Sequence, residues 1–176
     1  MQGGRSGVAR YIQELLASLA APKTNHYTVF VPRHERHLLP QENSHITYKS
    51  CKSFTASPIA SIAWHNLILP FIGKKYDLLH IPSYRRIPLI KSCPQIATVH
   101  DLATLRIDNK YDKLRMFYNR KIVPSLIRKC DRLITVSHFS KEEIIHFTGY
   151  DESKIDVIYS GIDHHLFNPK DKVQAR

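Results

Sequence analysis

Short apolar runs recur along this chain with helix-patterned or polar stretches between them, and that alternation constrains the fold more than any other feature. Tyr27 to Val31, Leu78 to Ile81, Ile96 to Val99, Leu133 to Val136 and Ile155 to Tyr159 are each four or five residues long, and each ends in a polar segment or a turn residue. Runs of this length without polar alternation suit strands buried on both faces. Ile46 to Tyr48 is a weaker candidate of the same kind. Val8, Tyr11, Ile12, Leu15, Leu16 and Leu19 share one face of a 3.6-residue period that Pro22 closes. Ile59, Ile62, Ala63, Leu67 and Leu69 predict a second helix ending near Pro70 or Gly73. Residues 110–129 predict a third, kinked or split at Pro124, while residues 33–45 read as loop. Strands alternating with helices in this way predict a parallel, doubly wound, Rossmann-like α/β sheet.

Local punctuation sharpens two places. Ser140 and Glu143 have the spacing of a capping box, with Phe139 and Ile144 placed as its hydrophobic staple and Gly149 as the left-handed C-cap. At the front, Gly3, Gly4 and Gly7 lead into the first helix with only Met1 and Gln2 ahead of them. A glycine turn of this sort normally follows a strand. The expectation is therefore a sheet lacking its first strand, with a gap at a central position and weaker strands on either side of it.

The 176 residues are 43% hydrophobic and 23% charged, which places them among globular chains with enough length for one core but not two full domains. The longest apolar run, Leu67 to Ile72, contains Pro70 and falls far short of the roughly 20 residues of a membrane span. Without a leader-like succession at the start, the chain reads as soluble and cytoplasmic. Cys51, Cys93 and Cys130 are odd in number and widely spaced, so they read as reduced thiols. His34 with His37, and His164 with His165, lack ligand spacing, and no metal is expected.

Three features could carry chemistry. The Gly3 to Gly7 turn could bring backbone N–H groups close to a phosphate at a helix N-terminus, or be a plain tight turn. His100-Asp101 follows a predicted strand, where open α/β sheets gather ligands. His100 could bond a sugar hydroxyl or move a proton, or Asp101 could simply cap the next turn; Ser137 ends the following strand and has the same status. Between Arg106 and Cys130 stand eight Lys or Arg and two Asp, a face that could attract phosphates or an anionic membrane, or merely be solvated. A net charge of +11 raises nucleic acid as a partner, but no recognition motif accompanies it and none is expected.

Several segments taken in order resemble the glycosyltransferase family 4 enzymes of GT-B fold. They are Ser6 to Ile12 with Glu14-Leu15-Leu16, Thr98 to Leu102, Cys130 to Lys141, and Lys154 to Asp163 with Phe167-Asn168-Pro169. The resemblance implies the N-terminal, acceptor-side domain, spanning 1–168, with 169–176 starting an interdomain linker or tail. It implies a retaining, metal-independent transfer from a nucleotide-sugar to a glycan or lipid-linked acceptor, with no cofactor. It also implies a C-terminal donor-binding domain that this chain lacks, so that the chain alone is inactive. Gly4 and Gly7 would lie near the donor diphosphate and His100 near the reacting sugar, with Arg10 and Ser137 as further contacts. Ala9 stands where the family often has glycine, and Ser160 where it often has asparagine. The alternative is a non-catalytic module that binds phosphoglycan or the inner face of a membrane.

Overall fold

The computed structural model describes residues 6–19, 24–51, 58–106 and 118–161. Helix α1 (Gly7–Leu19) begins where Ser6 caps it: the Ser6 hydroxyl accepts from Ala9 N at 3.2 Å and its carbonyl from Arg10 N at 3.1 Å. Its apolar stripe buries Leu16 and packs Ile12 and Leu19 on a small core with Val31, Ile46 and Tyr48. Pro22, expected to end this helix, lies outside the described residues.

Strands β1 (Tyr27–Pro32) and β2 (Ile46–Cys51) pair in parallel over six positions, from Tyr27↔Ile46 to Pro32↔Cys51. β2 is twice as long as its apolar residues predict. Ile46 and Tyr48 point inward while Thr47 and Lys49 face out, so the ladder with β1 carries the polar end that composition alone reads as loop. The stretch expected to be loop holds a 3₁₀ helix, Arg33–Leu38, with Glu35 buried. There Arg36 sits 3.7 Å over the Tyr48 ring and donates to the Pro40 carbonyl at 3.0 Å.

Helices α2 (Pro58–Leu67) and α3 (Leu69–Gly73) replace the one expected helix, with the break at Ile68 just ahead of Pro70. A second parallel sheet follows in chain order: β3 (Leu79–Ile81), β4 (Gln95–Val99), β5 (Arg132–Thr135) and β6 (Ile155–Val157). β6 is shorter than predicted, and Ile158 and Tyr159 are exposed beyond it. Helices α4 (Ala103–Arg106), α5 (Val123–Arg128) and α6 (His138–Thr148) cover this sheet. Its core joins Val99, Leu102, Ile127, Leu133 and Ile144, each fully buried. Ahead of α5, Tyr118–Ile122 forms a wider π turn, and Pro124 occupies the first turn of α5, where its missing N–H breaks no helical bond. The chain is thus α/β and Rossmann-like in its parallel βα units. The six strands form two sheets, β1-β2 and β3-β4-β5-β6, and no described strand bonds one to the other.

One local reading is corrected. The cap of α6 is Ser137, whose hydroxyl accepts from Ser140 N at 3.1 Å, so the helix starts three residues before the predicted Ser140. Glu143 does not reach back as a capping partner. It is buried and pairs with Arg106 at 3.4 Å. Phe139 is 56% exposed, under the Arg106 guanidinium instead of against Ile144. Arg106, distant in sequence, offers both side chains a better partner than the local motif. At the other end the expectation matches: Gly149 has φ 64° and its N–H donates to Ile145 at 2.8 Å.

Candidate functional site

The carboxyl ends of β3, β4 and β5 place Pro82, His100 and Ser137 at one end of the larger sheet. His100 is half-buried, and its Nε2 lies 3.1 Å from the Pro82 carbonyl oxygen. That oxygen can only accept, so Nε2 carries the hydrogen, and in the tautomer with that single N–H, Nδ1 is the acceptor. The ring is braced by Tyr11 of α1, edge-on at 4.7 Å and 83°. The Tyr11 hydroxyl continues to the buried Thr98 Oγ1 at 3.2 Å, which His80 Nε2 also meets at 2.9 Å. Burial holds the His80 imidazole below its ordinary pKa, so it is neutral near pH 7.

Tyr11 stands one helical turn after Gly7, about 6 Å along the axis. Tyr11 thus links α1 to the strand end that carries His100. Gly7 is exposed, and a Cβ added there would meet no described atom within 4 Å. Gly4, the other predicted phosphate contact, lies outside the described residues. Arg10 is exposed and its guanidinium pairs with Glu14 at 2.6 Å along α1. Ser137 is engaged in structure: its hydroxyl donates to Ser140 Oγ at 3.0 Å, and Ser140 Oγ donates to the His100 carbonyl at 3.1 Å. This relay ties the start of α6 to the strand end that carries His100. Asp101 takes the role of a turn cap, accepting from Ala103 N at 3.0 Å.

Sequence reading misses Tyr11, Thr98, His80 and Pro82 as parts of this cluster. Tyr11 counted only as one member of an apolar stripe, and its partner Thr98 is 87 positions away. A hydroxyl on a stripe aimed at a strand end is the signal that could have found it. Of the basic run, residues 107–117 lie outside the described residues. Arg106 pairs with Glu143, Arg128 donates to the Thr148 carbonyl at 3.0 Å and Lys129 to the Leu89 carbonyl at 2.9 Å. Several cations thus pin the fold. Among the described residues no three His, Cys, Asp or Glu side chains converge on one point, and His164 and His165 lie outside that set. The three thiols are free, and no described helix is long and apolar enough to cross a membrane.

Comparisons with known proteins agree with this architecture. A D-inositol 3-phosphate glycosyltransferase from Mycobacterium sp. (strain KMS) is 29% identical over 90 residues, covering 51% of this chain and 20% of the relative. The enzyme of the same description from Mycobacterium tuberculosis (strain ATCC 25177 / H37Ra) is also 29% identical over 90 residues and is covered over 18% of its length. The chain therefore matches about a fifth of the length of these curated relatives. The crystal structure of Anabaena Alr3699/HepE in complex with UDP aligns over 96% of this chain and 45% of that one, with TM-score 0.55 and 18% identity, a likeness of fold. The family model described as Glycosyltransferase Family 4 matches residues 5–166, and the chain belongs to that family.

Proposed function

We propose that this chain forms the acceptor-side wall of a retaining glycosyltransferase that uses a nucleotide-sugar donor. The observation that supports the reading is the Tyr11 ring against His100, a contact between α1 and a strand-end imidazole. In the reaction, charge grows on the leaving diphosphate. The N–H groups of Gly7 and Val8, ahead of the Ala9 and Arg10 groups that Ser6 takes, and the positive end of the helix dipole suit that charge. His100, with Nε2 donating to Pro82, offers Nδ1 to a sugar hydroxyl and fixes the ring of the reacting sugar rather than supplying a nucleophile. Arg10 serves the same anion only by releasing Glu14, and Ser137 acts by holding the strand end in place. That the chain covers about a fifth of the curated relatives it matches supports a further element of the reading. The donor side of the cleft belongs to sequence outside these residues, and the chain by itself turns over little donor.

Two measurements test this. The purified chain mixed with a panel of nucleotide-sugars is expected to show no sustained release of nucleoside diphosphate; steady turnover overturns the half-site reading. In the full-length enzyme, His100→Ala is expected to lower kcat by at least about a hundredfold with the circular dichroism spectrum unchanged. Unaltered turnover would return His100 to a purely architectural role.

A further inference from the structure

Tyr11 lies on the apolar stripe of α1, yet neither apolar core includes it, although Ile12, Leu16 and Leu19 of the same stripe all join the smaller one. Its ring meets His100 and its hydroxyl meets Thr98. Both ends of the side chain are therefore spent on β4 and the residue that follows it. What this contact does depends on what else holds the imidazole. His100 Nε2 donates to the Pro82 carbonyl at 3.1 Å, and the His100 main-chain oxygen accepts from Ser140 Oγ at 3.1 Å. The second side-chain torsion of a histidine has a broad minimum, so one ring hydrogen bond sets one atom and leaves the plane loosely held. Aromatic rings attract well edge to face, positive edge against negative face, and 4.7 Å at 83° is that arrangement. The phenol thus fixes the tilt that the Pro82 bond leaves open.

A brace works only if it is itself held. The Tyr11 backbone belongs to α1, and its hydroxyl bonds Thr98 Oγ1, a fully buried atom shared with His80 Nε2. We propose that Tyr11 is a positioning residue for the transfer: it sets the plane of the His100 imidazole, and so the direction in which Nδ1 meets the sugar hydroxyl. A small misdirection of such a group is costly, because rate depends steeply on the geometry in which reacting partners are held. The helix that offers the Gly7 and Val8 N–H groups to the leaving charge then also carries the brace on the imidazole, so one rigid element sets both in register. The role in turnover rests on the glycosyl-transfer reading; the hold on the ring does not.

Nitrogen NMR of the histidine rings in the chain without substrate tests the hold. In mildly alkaline buffer the His100 Nε2 and Nδ1 resonances, assigned by their loss in His100→Ala, are expected to lie far apart, as for a single tautomer. Tyr11→Leu is expected to draw them together as the bond to Pro82 loosens, with circular dichroism unchanged because Tyr11 is half-buried and outside both cores. Tyr11→Met serves in its place if the leucine variant does not fold. In the full-length enzyme Tyr11→Leu is expected to lower kcat about tenfold with the donor KM within about twofold, and Tyr11→Phe, which keeps the ring, to restore kcat to within about threefold of wild type. Resonances that stay apart in both Tyr11→Leu and Tyr11→Met overturn the proposal. So does a raised donor KM at unchanged kcat, which would give Tyr11 a part in ground-state binding instead. An equal fall in Tyr11→Leu and Tyr11→Phe, which would leave the ring without a part, sinks it too. Shifted resonances beside a His100→Ala enzyme of undiminished turnover would count against the transfer reading alone and leave the hold on the ring standing.

Discussion

At the scale of single residues, Thr98 is the hinge of the site cluster. Its one hydroxyl serves both His80 and Tyr11 in a fully buried position. Thr98→Val should remove the shared partner of two half-buried polar groups and cost about 1 kcal/mol in urea unfolding, more than the similar shapes suggest. His80 gives the same cluster a pH signature. Its folded pKa lies below the ordinary 6.5, so as the pH falls through 6.5 the unfolded chain takes up a proton before the folded one does. Stability should therefore fall from pH 6.5 downward and level off once the pH is below the folded value. His80→Gln should flatten that limb in pH-dependent unfolding curves; an unchanged curve would show that His80 is not its source. His100 was readable from its position after an apolar run, because strand ends are where open sheets present side chains. Tyr11 was not, since helical periodicity records which face is buried and says nothing about which strand that face meets.

Among elements, the start of α6 shows where local motif reading stops. Ser-x-x-Glu spacing pointed to Ser140, yet Ser137 caps the helix, and Ser140 is used to bond the His100 carbonyl. Both serines satisfy the local rules; the contact with β4 and the pull of Arg106 on Glu143 decide between them. Ser137→Ala should lower stability by about 1 kcal/mol. Gly149→Ala, forced to φ 64°, should cost a similar amount, about 1 kcal/mol. Thermal melts of the two variants check this, and a Ser137→Ala melt indistinguishable from wild type would return the cap to Ser140. Strand existence and parallel order were legible throughout, because β-branched runs between helices leave few other arrangements. Strand length was less so. β2 outruns its apolar residues because β1 offers backbone partners, and β6 stops short of Ile158 and Tyr159, whose apolar character alone does not keep them in the ladder.

For the molecule as a whole, the described strands form two sheets with separate cores. The larger core gathers fifteen buried residues and the smaller five. α1 packs on the smaller core while its Tyr11 bonds Thr98 of β4, so side chains join the two sheets where no described strand pairs across. The glycine turn alone suggested such a gap; nothing in the sequence showed how the halves would be stitched.

The cysteines turn this division into something that can be timed. Cys51 closes β2 in the small sheet and is half-buried. Cys130 sits in the large core with Gln95 donating to its sulfur, and burial pushes its thiol up to about 11. A thiol-specific reagent should modify Cys51 well before Cys130, with the lag widening as the smaller half loosens ahead of the larger; simultaneous modification would mean the halves open as one. Two sulfur atoms thus serve as native stopwatches, one for each half of the protein.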